Sequence, residues 1–358
     1  MEYGGIVDLS AALRKWYGLS YSGEPDSIVY NWLERNRFRC VVVMLLDAMG
    51  VSVLEKTLRE DGFFRSHMSH QVSTVFPPTT TAATTAFLTG KYPCETGWLG
   101  WQQYFKEVDD NVVLFRGMGY YTNENYGSLG WDALPVKPIH EELKEKGIVA
   151  ASVWPLWGDE NPCGDFSSFC WMTRSLAENG DMRFVYAYWD NPDYLMHKVS
   201  PDAPCVKELL RNMEKEVANM KLPEDCGLLV IADHSQVSAK TCDLAQYPEI
   251  TQCFLRKPAL ETRSPTFFIK PGMEKEFEDR FRSVFEGEFD LYDKQQVMSM
   301  HLYGKGTQHA RFEEMIGEYV AVARGYLQLT YGKKVTVKGN HAGGLEEEAL
   351  IPVIISPK

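Results

Sequence analysis

Six acidic and imidazole side chains along this chain are of the types that bind divalent cations. Carboxylate oxygens and imidazole nitrogens together suit borderline ions such as zinc and manganese. The six residues are Asp47, Asp193, His197, Asp233, His234 and His341. Because no cysteine belongs to the set, it favours a catalytic metal site with open coordination positions over a closed structural zinc site.

A run of hydroxyl side chains accompanies these acids and imidazoles. Residues 75–93 read Val-Phe-Pro-Pro-Thr-Thr-Thr-Ala-Ala-Thr-Thr-Ala-Phe-Leu-Thr-Gly-Lys-Tyr-Pro, which places three consecutive threonines where a helix should begin. A hydroxyl beside a bound metal ion becomes a nucleophile, since the cation lowers the pKa of the hydroxyl. Together the two sets indicate metal-assisted phosphoryl transfer.

Each feature has a simpler interpretation when it is taken alone. An acid at a strand end, such as Asp47, commonly caps a helix or turn, and Thr80 could be a simple helix cap. Asp193 and His197 could form a solvated salt link, and His341 among glycines could be a turn residue. The joint occurrence of the motifs in one chain favours the metal site.

Continuous apolar runs, three of them ending in an acid, indicate the strands that must position these residues. Five runs fit one sheet: residues 40–47, 148–153, 183–190, 226–233 and 351–355. Helix-like stretches lie between them at 140–147, 206–220 and 312–326. The alternation predicts an α/β fold with a mostly parallel central sheet and helices on both faces. Active sites of such sheets lie beyond the carboxyl ends of the strands, where Asp47, Asp190 and Asp233 fall.

The remaining segments suggest a second, smaller unit. Residues 238–305 contain a short strand at 264–270 and a charged amphipathic helix at 274–285, so we expect a small α+β insert there. The catalytic core would then comprise residues 1–237 and 306–358. Residues 97–132 are rich in aromatics, Gly and Asn, which predicts a long loop of the kind that is often functional.

Bulk properties exclude some classes of partner. The 358 residues carry a formal net charge of -12, which argues against a surface for nucleic-acid polymers or anionic membranes. No apolar run approaches the roughly 20 residues that span a bilayer. The chain start lacks a signal-peptide pattern, and eight cysteines at irregular spacing contain no Cys-x-x-Cys pair. We therefore expect a cytoplasmic protein with reduced cysteines.

In their order along the chain, these motifs resemble those of the alkaline phosphatase superfamily, in particular its type I phosphodiesterase/nucleotide pyrophosphatase family. The family's Phe/Tyr-Pro-x-x-Thr and Thr-Gly-x-Tyr-Pro elements match residues 76–80 and 89–93 without a gap. Its Pro-Asp-x-x-x-His pattern matches residues 192–197, its Asp-His pair residues 233–234, and its Gly-x-His residues 339–341. The first strand departs from the family's Asp-Gly, since Asp47 is followed by Ala-Met-Gly. The resemblance spans about residues 40–355.

The resemblance implies an alkaline-phosphatase-like fold, a Thr80 nucleophile and two divalent metal ions, zinc or else manganese. Thr79 and Thr81 are the alternative nucleophiles. The ligand sets that it implies are Asp193, His197 and His341 for one ion, and Asp47, Asp233, His234 and the Thr80 oxygen for the other.

The implied substrate is a small phosphodiester or nucleotide pyrophosphate. Phosphomonoesters and phosphonates are alternatives within the same fold, as is a non-catalytic relative that binds a phosphorylated ligand. The family's phosphate-holding Asn has no counterpart here, because its position falls near Trp101. Replacements open to the sequence are Asn340, Gln102, Tyr104 and the indole of Trp101 itself. Five aromatic residues could stack on a base or aryl group or else simply pack the loop: Trp98, Trp101, Tyr104, Tyr120 and Tyr121.

Overall fold

A computed structural model describes residues 3–332 and 337–357 of the chain. The strands in chain order are β1 (Cys40–Leu46), β2 (Met68–Ser73), β3 (Gln102–Phe105), β4 (Asp110–Val113), β5 (Met118–Gly119), β6 (Ala150–Pro155), β7 (Pro162–Cys163), β8 (Phe184–Trp189), β9 (Cys226–Ile231), β10 (Val237–Ser238), β11 (Lys240–Asp243), β12 (Ala259–Leu260), β13 (Pro265–Phe267), β14 (Phe289–Asp293), β15 (Tyr319–Ala323), β16 (Leu327–Thr330), β17 (Gly339–Asn340) and β18 (Leu350–Ser356).

The helices are α1 (Gly5–Trp16), α2 (Ser27–Asn36), α3 (Val51–Thr57), α4 (Phe63–Ser66), α5 (Thr80–Thr89), α6 (Pro93–Thr96), α7 (Leu129–Ala133), α8 (Ile139–Glu145), α9 (Phe166–Glu178), α10 (Asp193–Val199), α11 (Pro204–Asn219), α12 (Pro248–Thr251), α13 (Glu274–Val284), α14 (Lys294–Ser299), α15 (Phe312–Met315) and α16 (Glu346–Ala349). A 3₁₀ turn covers Leu244–Gln246.

The central sheet has the strand order β2-β18-β9-β1-β8-β6-β7. Strand β1 runs parallel to both of its neighbours, β8 and β9, and β6 runs parallel to β7 and β8. The run at 351–355 joins this sheet as β18, although it is antiparallel to β9 and β2. The predicted α/β fold with a mostly parallel sheet is confirmed.

Helices cover both faces of this sheet. Strands β1, β8 and β9 are buried at every position. Because successive side chains of a strand point to opposite faces, full burial requires cover on both sides. Helix α9 packs against β1, β6 and β8, and α8 packs against β6 and β8. The largest hydrophobic core surrounds these strands.

A second sheet is antiparallel and has the order β14-β15-β13-β12-β3-β4-β5. It draws strands from residues 102–119 as well as from 259–323, so the prediction of a long loop over 97–132 was wrong. Asn111, one of the residues that suggested a loop, is buried within β4 and donates its side-chain amide to the Pro258 carbonyl at 2.8 Å. Asn123 and Asn125 follow β5 and are exposed. The division of the chain at residues 238 and 305 stays a prediction.

The helix predicted over 312–326 was also wrong beyond its first turn. Only α15 is helical, and the chain then enters β15, whose alternating Val and Ala residues pair with β13 and β14. Gly317 marks the change of structure. A Cβ atom there would lie 2.1 Å from the Phe267 carbonyl oxygen, so only glycine permits this approach. The helices predicted at 140–147, 206–220 and 274–285 are confirmed as α8, α11 and α13.

All eight cysteines are free, and six of them are buried. None of the helices within residues 3–332 and 337–357 combines the length and apolarity needed to cross a membrane. The cytoplasmic location stays a prediction.

Candidate metal centre

The ends of three adjacent strands bring the predicted site residues together. Asp47 directly follows β1, and Asp233 follows the neighbouring β9 after one residue. Asp193 begins α10, four residues after β8, the other neighbour of β1. Parallel strands place their carboxyl ends at one edge of a sheet, which is why these three acids converge. His341 comes from outside the central sheet, directly after β17, which pairs with β10.

The first cluster consists of Asp47, Asp233 and His234, whose ligand atoms lie within 4.8 Å of one another. His234 Nε2 is 3.4 Å from Asp47 Oδ1 and 3.5 Å from Asp233 Oδ2. Thr80 Oγ1 lies 3.1 Å from His234 Nε2 and 3.4 Å from each carboxylate oxygen of Asp47. The hydroxyl therefore borders the first cluster.

The second cluster consists of Asp193, His234 and His341. His341 Nε2 lies 3.8 Å from Asp193 Oδ1, and the rings of His234 and His341 stack with centroids 3.9 Å apart. His197 is adjacent, with its Nε2 3.3 Å from Asp193 Oδ2. His234 belongs to both clusters and lies between them, whereas the resemblance implies that it serves one ion.

All three imidazoles are held in the same tautomer. The Nδ1 atom of each ring faces a main-chain carbonyl oxygen: His197 faces Gly339 at 2.8 Å, His234 faces Ser235 at 3.0 Å, and His341 faces Pro78 at 3.0 Å. A carbonyl oxygen only accepts, so Nδ1 carries the proton and donates it. When such a ring is neutral, its Nε2 therefore presents a lone pair to the cluster, which is the arrangement of metal-binding histidines.

The buried carboxylates of the first cluster have too little positive charge around them to balance their own. Asp233 Oδ2 is buried and has no hydrogen-bond partner among the described residues. Burial raises the pKa of Asp47 well above its ordinary range, and the charges of Asp233 and Asp193 raise it further. Burial also raises the pKa of Asp233. A divalent cation would satisfy the unpaired oxygen and offset this repulsion, so the residues present fit a metal ion.

Asp193 and His197 act on each other electrostatically. Burial alone would raise the pKa of Asp193, but the nearby imidazoles of His197, His341 and His234 outweigh it and lower the pKa. Burial alone would lower the pKa of His197, but Asp193 outweighs it and raises the pKa to about 8. Burial and the neighbouring His234 lower the pKa of His341.

Two partners of the candidate metal-binding carboxylates were not found from the sequence. The Tyr188 hydroxyl donates to Asp47 Oδ2, and the Gln236 side-chain amide donates to Asp193 Oδ1. Such partners fix the orientation of a carboxylate and leave its other oxygen for the cation. The position of Tyr188 on β8, beside β1, is the one signal that could have revealed its role, because parallel neighbours share a sheet edge.

The structure distinguishes the three consecutive threonines. Thr79 is the N-cap residue of α5, and its hydroxyl donates to Glu261 Oε1 at 2.6 Å. The Thr81 hydroxyl is buried and has no partner among the described residues. Thr80 is the one of the three whose hydroxyl contacts the first cluster. Its geometry suits the predicted nucleophile better than that of either alternative.

Glu261 is an acid that the sequence did not single out. It follows β12, at the point where the second sheet reaches the start of α5. The Trp101 main-chain N–H donates to Glu261 Oε1 at 2.7 Å. Burial raises the pKa of Glu261 to about 7, although the hydrogen bonds from Thr79 and Trp101 oppose the shift. A carboxylate thus contacts the segment where the family carries its phosphate-holding Asn.

The proposed replacements for that Asn differ in availability. The Asn340 amide donates to Thr262 and Gln328, and its carbonyl oxygen accepts from the His341 N–H. The Tyr104 hydroxyl donates to Asp109. Gln102 keeps a buried side-chain oxygen without a partner in the described part of the chain.

The five aromatic residues of the predicted loop also differ in how available their side chains are. Trp98 and Tyr104 are buried in hydrophobic clusters, as loop packing would require. Tyr120 and Tyr121 are half-buried and line a cleft that also contains Glu261. Trp101 is half-buried, with the Arg116 guanidinium 5.6 Å from its ring centroid.

A third acidic group, formed by His140, Glu141 and Glu160, also has suitable spacing for a cation. The Lys144 ammonium lies 2.9 Å from Glu141 Oε1 and 3.1 Å from Glu160 Oε1. Because the Lys144 ammonium already pairs with both carboxylates, we assign no metal to this group.

Comparisons with known proteins found relatives by structure. No protein-family model and no curated protein matches the sequence. Murine ectonucleotide pyrophosphatase/phosphodiesterase 5 superposes with a TM-score of 0.69, at 17% identity over 88% of this chain and 87% of its own. An inactive variant of that enzyme was solved in complex with AMP and superposes with a TM-score of 0.67 at 17% identity, with the same coverage. Phosphonoacetate hydrolase from Sinorhizobium meliloti 1021, in complex with phosphonoformate, gives 0.64 at 12% identity over 89% of this chain and 90% of its own.

Proposed function

From the fold of the alkaline phosphatase superfamily, which this chain has, we propose that the protein is a metal-dependent hydrolase of phosphoester bonds. Thr80 is the nucleophile, and two divalent ions, zinc or manganese, bind the Asp and His clusters. The substrate is a small phosphodiester or nucleotide pyrophosphate. The observation that carries this proposal is the Thr80 hydroxyl, 3.1 Å from His234 Nε2 at the edge of the first cluster.

The proposed ligands divide between the two clusters. Asp47, Asp233 and His234 would hold one ion together with the Thr80 oxygen. Asp193, His197 and His341 would hold the other. Bound cations lower the pKa of a coordinated hydroxyl or water and stabilise negative charge on phosphoryl oxygens.

The protein chain itself orients the proposed nucleophile. Thr80 is the first residue of α5, so its hydroxyl is fixed by a ten-residue helix rather than by a loop. The first N–H groups of an α-helix lack intrahelical acceptors, and the Thr79 side chain does not cap those of α5, so they could donate to a phosphoryl group at Thr80. Attack by Thr80 on phosphorus forms a phospho-threonine ester and releases the alcohol or phosphate leaving group. Water then hydrolyses the ester and regenerates the hydroxyl.

Hydrolysis of phosphonates or phosphomonoesters is the second candidate. A structural neighbour is named phosphonoacetate hydrolase, and this chain lacks the Asn that would hold a phosphate oxygen in the phosphodiesterase family. A side-by-side assay separates the candidates. The metal-loaded protein is given bis-p-nitrophenyl phosphate, p-nitrophenyl phosphate and phosphonoacetate, and kcat/KM is compared among them.

Two single-residue variants test the nucleophile. We expect Thr80→Ala to lose at least about 10³-fold in kcat on the preferred substrate, because no other hydroxyl takes its place. Thr81→Ala is the matched control, with the same change one residue along the helix, and should keep most of the activity. Turnover by Thr80→Ala at the wild-type rate, with metal bound, would contradict the assignment.

A non-catalytic phospho-ligand-binding protein is the remaining alternative. This alternative predicts that the purified protein hydrolyses none of the tested esters although a divalent ion stays bound to it.

A further inference from the structure

A buried tyrosine binds one of the carboxylates of the first cluster. The Tyr188 hydroxyl donates to Asp47 Oδ2. Tyr188 is 5% exposed, so water has little access to this hydrogen bond. A carboxylate that binds a cation is ionised and only accepts hydrogen bonds, so the phenol is the donor. The contact turns Oδ2 toward Tyr188 and leaves Oδ1 as the Asp47 oxygen that faces His234, 3.4 Å from its Nε2.

The surrounding structure fixes both ends of this hydrogen bond. Strands β1 and β8 are paired neighbours, and the Asp47 main-chain N–H donates to the Trp189 carbonyl at 3.0 Å. The Tyr188 ring packs against Trp154 and Trp157, with ring centroids 5.4 Å and 5.7 Å away. Strand pairing and aromatic contacts thus hold the phenol in one place beside the carboxylate.

Four atoms of the first cluster are spaced like the ligands of one small ion. His234 Nε2 lies 3.1 Å from Thr80 Oγ1, 3.4 Å from Asp47 Oδ1 and 3.5 Å from Asp233 Oδ2. Thr80 Oγ1 also lies 3.4 Å from Asp47 Oδ1. In a tetrahedral site with zinc bonds of about 2.0 Å, the ligand atoms are about 3.3 Å apart. A single oxygen from Asp47 therefore suffices, and the Thr80 oxygen is the fourth ligand atom.

The second oxygen of Asp47 is a competitor of the Thr80 oxygen. Thr80 Oγ1 is as close to Asp47 Oδ2 as to Oδ1, at 3.4 Å in both cases. Without its hydrogen bond from Tyr188, Oδ2 could turn toward the ion and take the coordination position of Thr80. The Thr80 hydroxyl would then lose the cation that lowers its pKa.

We propose that Tyr188 is a positioning residue, which restricts Asp47 to one metal-binding oxygen and so reserves a coordination position for the Thr80 oxygen. The inference rests on the proposed hydrolysis at Thr80 and adds a residue to its machinery. Tyr188 acts through Asp47 rather than on the substrate itself.

The variant Tyr188→Phe tests the proposal, because it deletes the hydroxyl and keeps the ring. We expect kcat of the zinc-loaded protein on its preferred substrate to fall about 10–100-fold, as is usual when a partner of a metal ligand is lost. KM should stay close to the wild-type value. The zinc affinity, measured by calorimetric titration, should be equal or higher, because the freed Asp47 Oδ2 can bind the ion.

The matched control is Tyr186→Phe, the same deletion two residues earlier on β8. Alternation along a strand puts Tyr186 on the same face as Tyr188. Tyr186 is 0% exposed, and its hydroxyl has no hydrogen-bond partner among the described residues. This control should keep the wild-type kcat and zinc affinity. Urea denaturation compares the stability of the two variants.

Cobalt(II) in place of zinc gives a readout that needs no turnover, since its visible absorption depends on the number and geometry of its ligands. Thr80→Ala should change the cobalt spectrum of the wild type and of Tyr186→Phe, because the ion loses the Thr80 oxygen. In Tyr188→Phe the same substitution should leave the spectrum unchanged, because Asp47 Oδ2 has already replaced that oxygen.

Failure of this inference and failure of the proposed function give different results. If Tyr188→Phe loses zinc affinity and kcat in proportion, its role is merely structural and the proposal is overturned, as it is if neither changes; hydrolysis at Thr80 stands in both cases. If the wild type cleaves no ester, the proposed function fails and the cobalt spectra decide alone. A response to Thr80→Ala that is present in the wild type and absent in Tyr188→Phe supports the role of Tyr188. Equal responses in both proteins overturn it.

Discussion

The loop that carries His341 is tied to the second sheet by one buried ion pair. Arg263 and Glu348 are both fully buried, and the two side chains meet in a bidentate arrangement with N–O distances of 2.7 Å. Glu348 also accepts the main-chain N–H of Gly343 at 2.8 Å. Gly343 lies two residues after His341, so the pair controls the position of a proposed metal ligand.

We predict that Glu348→Ala lowers the free energy of unfolding by about 3–5 kcal/mol, the usual result of removing one partner of a buried pair. Arg263 would keep its contacts with the Leu327 and Gly325 carbonyls, but these cannot replace a counter-charge. Glu348→Ala also leaves the Gly343 N–H without its acceptor, and the predicted change in unfolding free energy already includes this effect. We also expect weaker metal binding, because the His341 loop loses its anchor.

Urea denaturation at fixed metal concentration measures the change, and metal titration measures the second effect. Glu347→Ala is the matched control. Its carboxylate lies 3.5 Å from the Lys56 ammonium, with both side chains well exposed, so about 1 kcal/mol or less is expected. A double variant, Arg263→Met with Glu348→Leu, should be more stable than Glu348→Ala alone. Equal effects of Glu348→Ala and Glu347→Ala would refute the reasoning.

Two further predictions concern pH and metal removal. Burial lowers the pKa of His140 from 6.5 to about 4. Between these two pH values the unfolded state therefore binds one more proton than the folded state. The stability that neutral His140 contributes above pH 6.5, about 3 kcal/mol, is lost as pH falls toward 4. In His140→Phe, the free energy of unfolding should fall less between pH 6.5 and 4.5 than it does in the wild type. An equal fall in both proteins would contradict the assignment of this pH dependence to His140. Zinc or manganese at about 100 times its dissociation constant should stabilise the wild type by about 2.7 kcal/mol. Chelation should reverse this gain, and Asp47→Ala should show much less of it in thermal melts; equal gains in both proteins would argue against a role for Asp47 in metal binding.

Local sequence patterns predicted the parts of the site that follow directly from strand geometry. Asp47 and Asp233 each follow an apolar run, and parallel strands bring such ends to one edge of the sheet. These two positions are consequences of chain direction, so periodicity sufficed to predict them. The same reasoning placed Asp190 at the sheet edge, whereas Asp193 was predicted from the Pro-Asp-x-x-x-His pattern and its place at the start of α10 comes from the structure.

Contacts between the two sheets could not be predicted in this way. Glu261 is a lone acid directly after the short strand β12, and only the approach of the second sheet to Thr79 gives it a role. The threonines at 79 and 81 could not be separated from Thr80 by type, because the direction of each hydroxyl depends on where α5 begins. Local patterns do not predict the strands at 102–119, because polar residues such as Asn111 find their partners in distant parts of the chain, here the Pro258 carbonyl.

The most direct measurement of the central claim is the identity of the residue that bonds to phosphorus. Metal-loaded protein is mixed with bis-p-nitrophenyl phosphate, quenched in acid within one turnover and digested for peptide mass spectrometry. We predict a p-nitrophenylphosphoryl group on Thr80, absent from Thr80→Ala and dependent on metal. An adduct on Thr79 or Thr81, or steady turnover by Thr80→Ala, would contradict the mechanism.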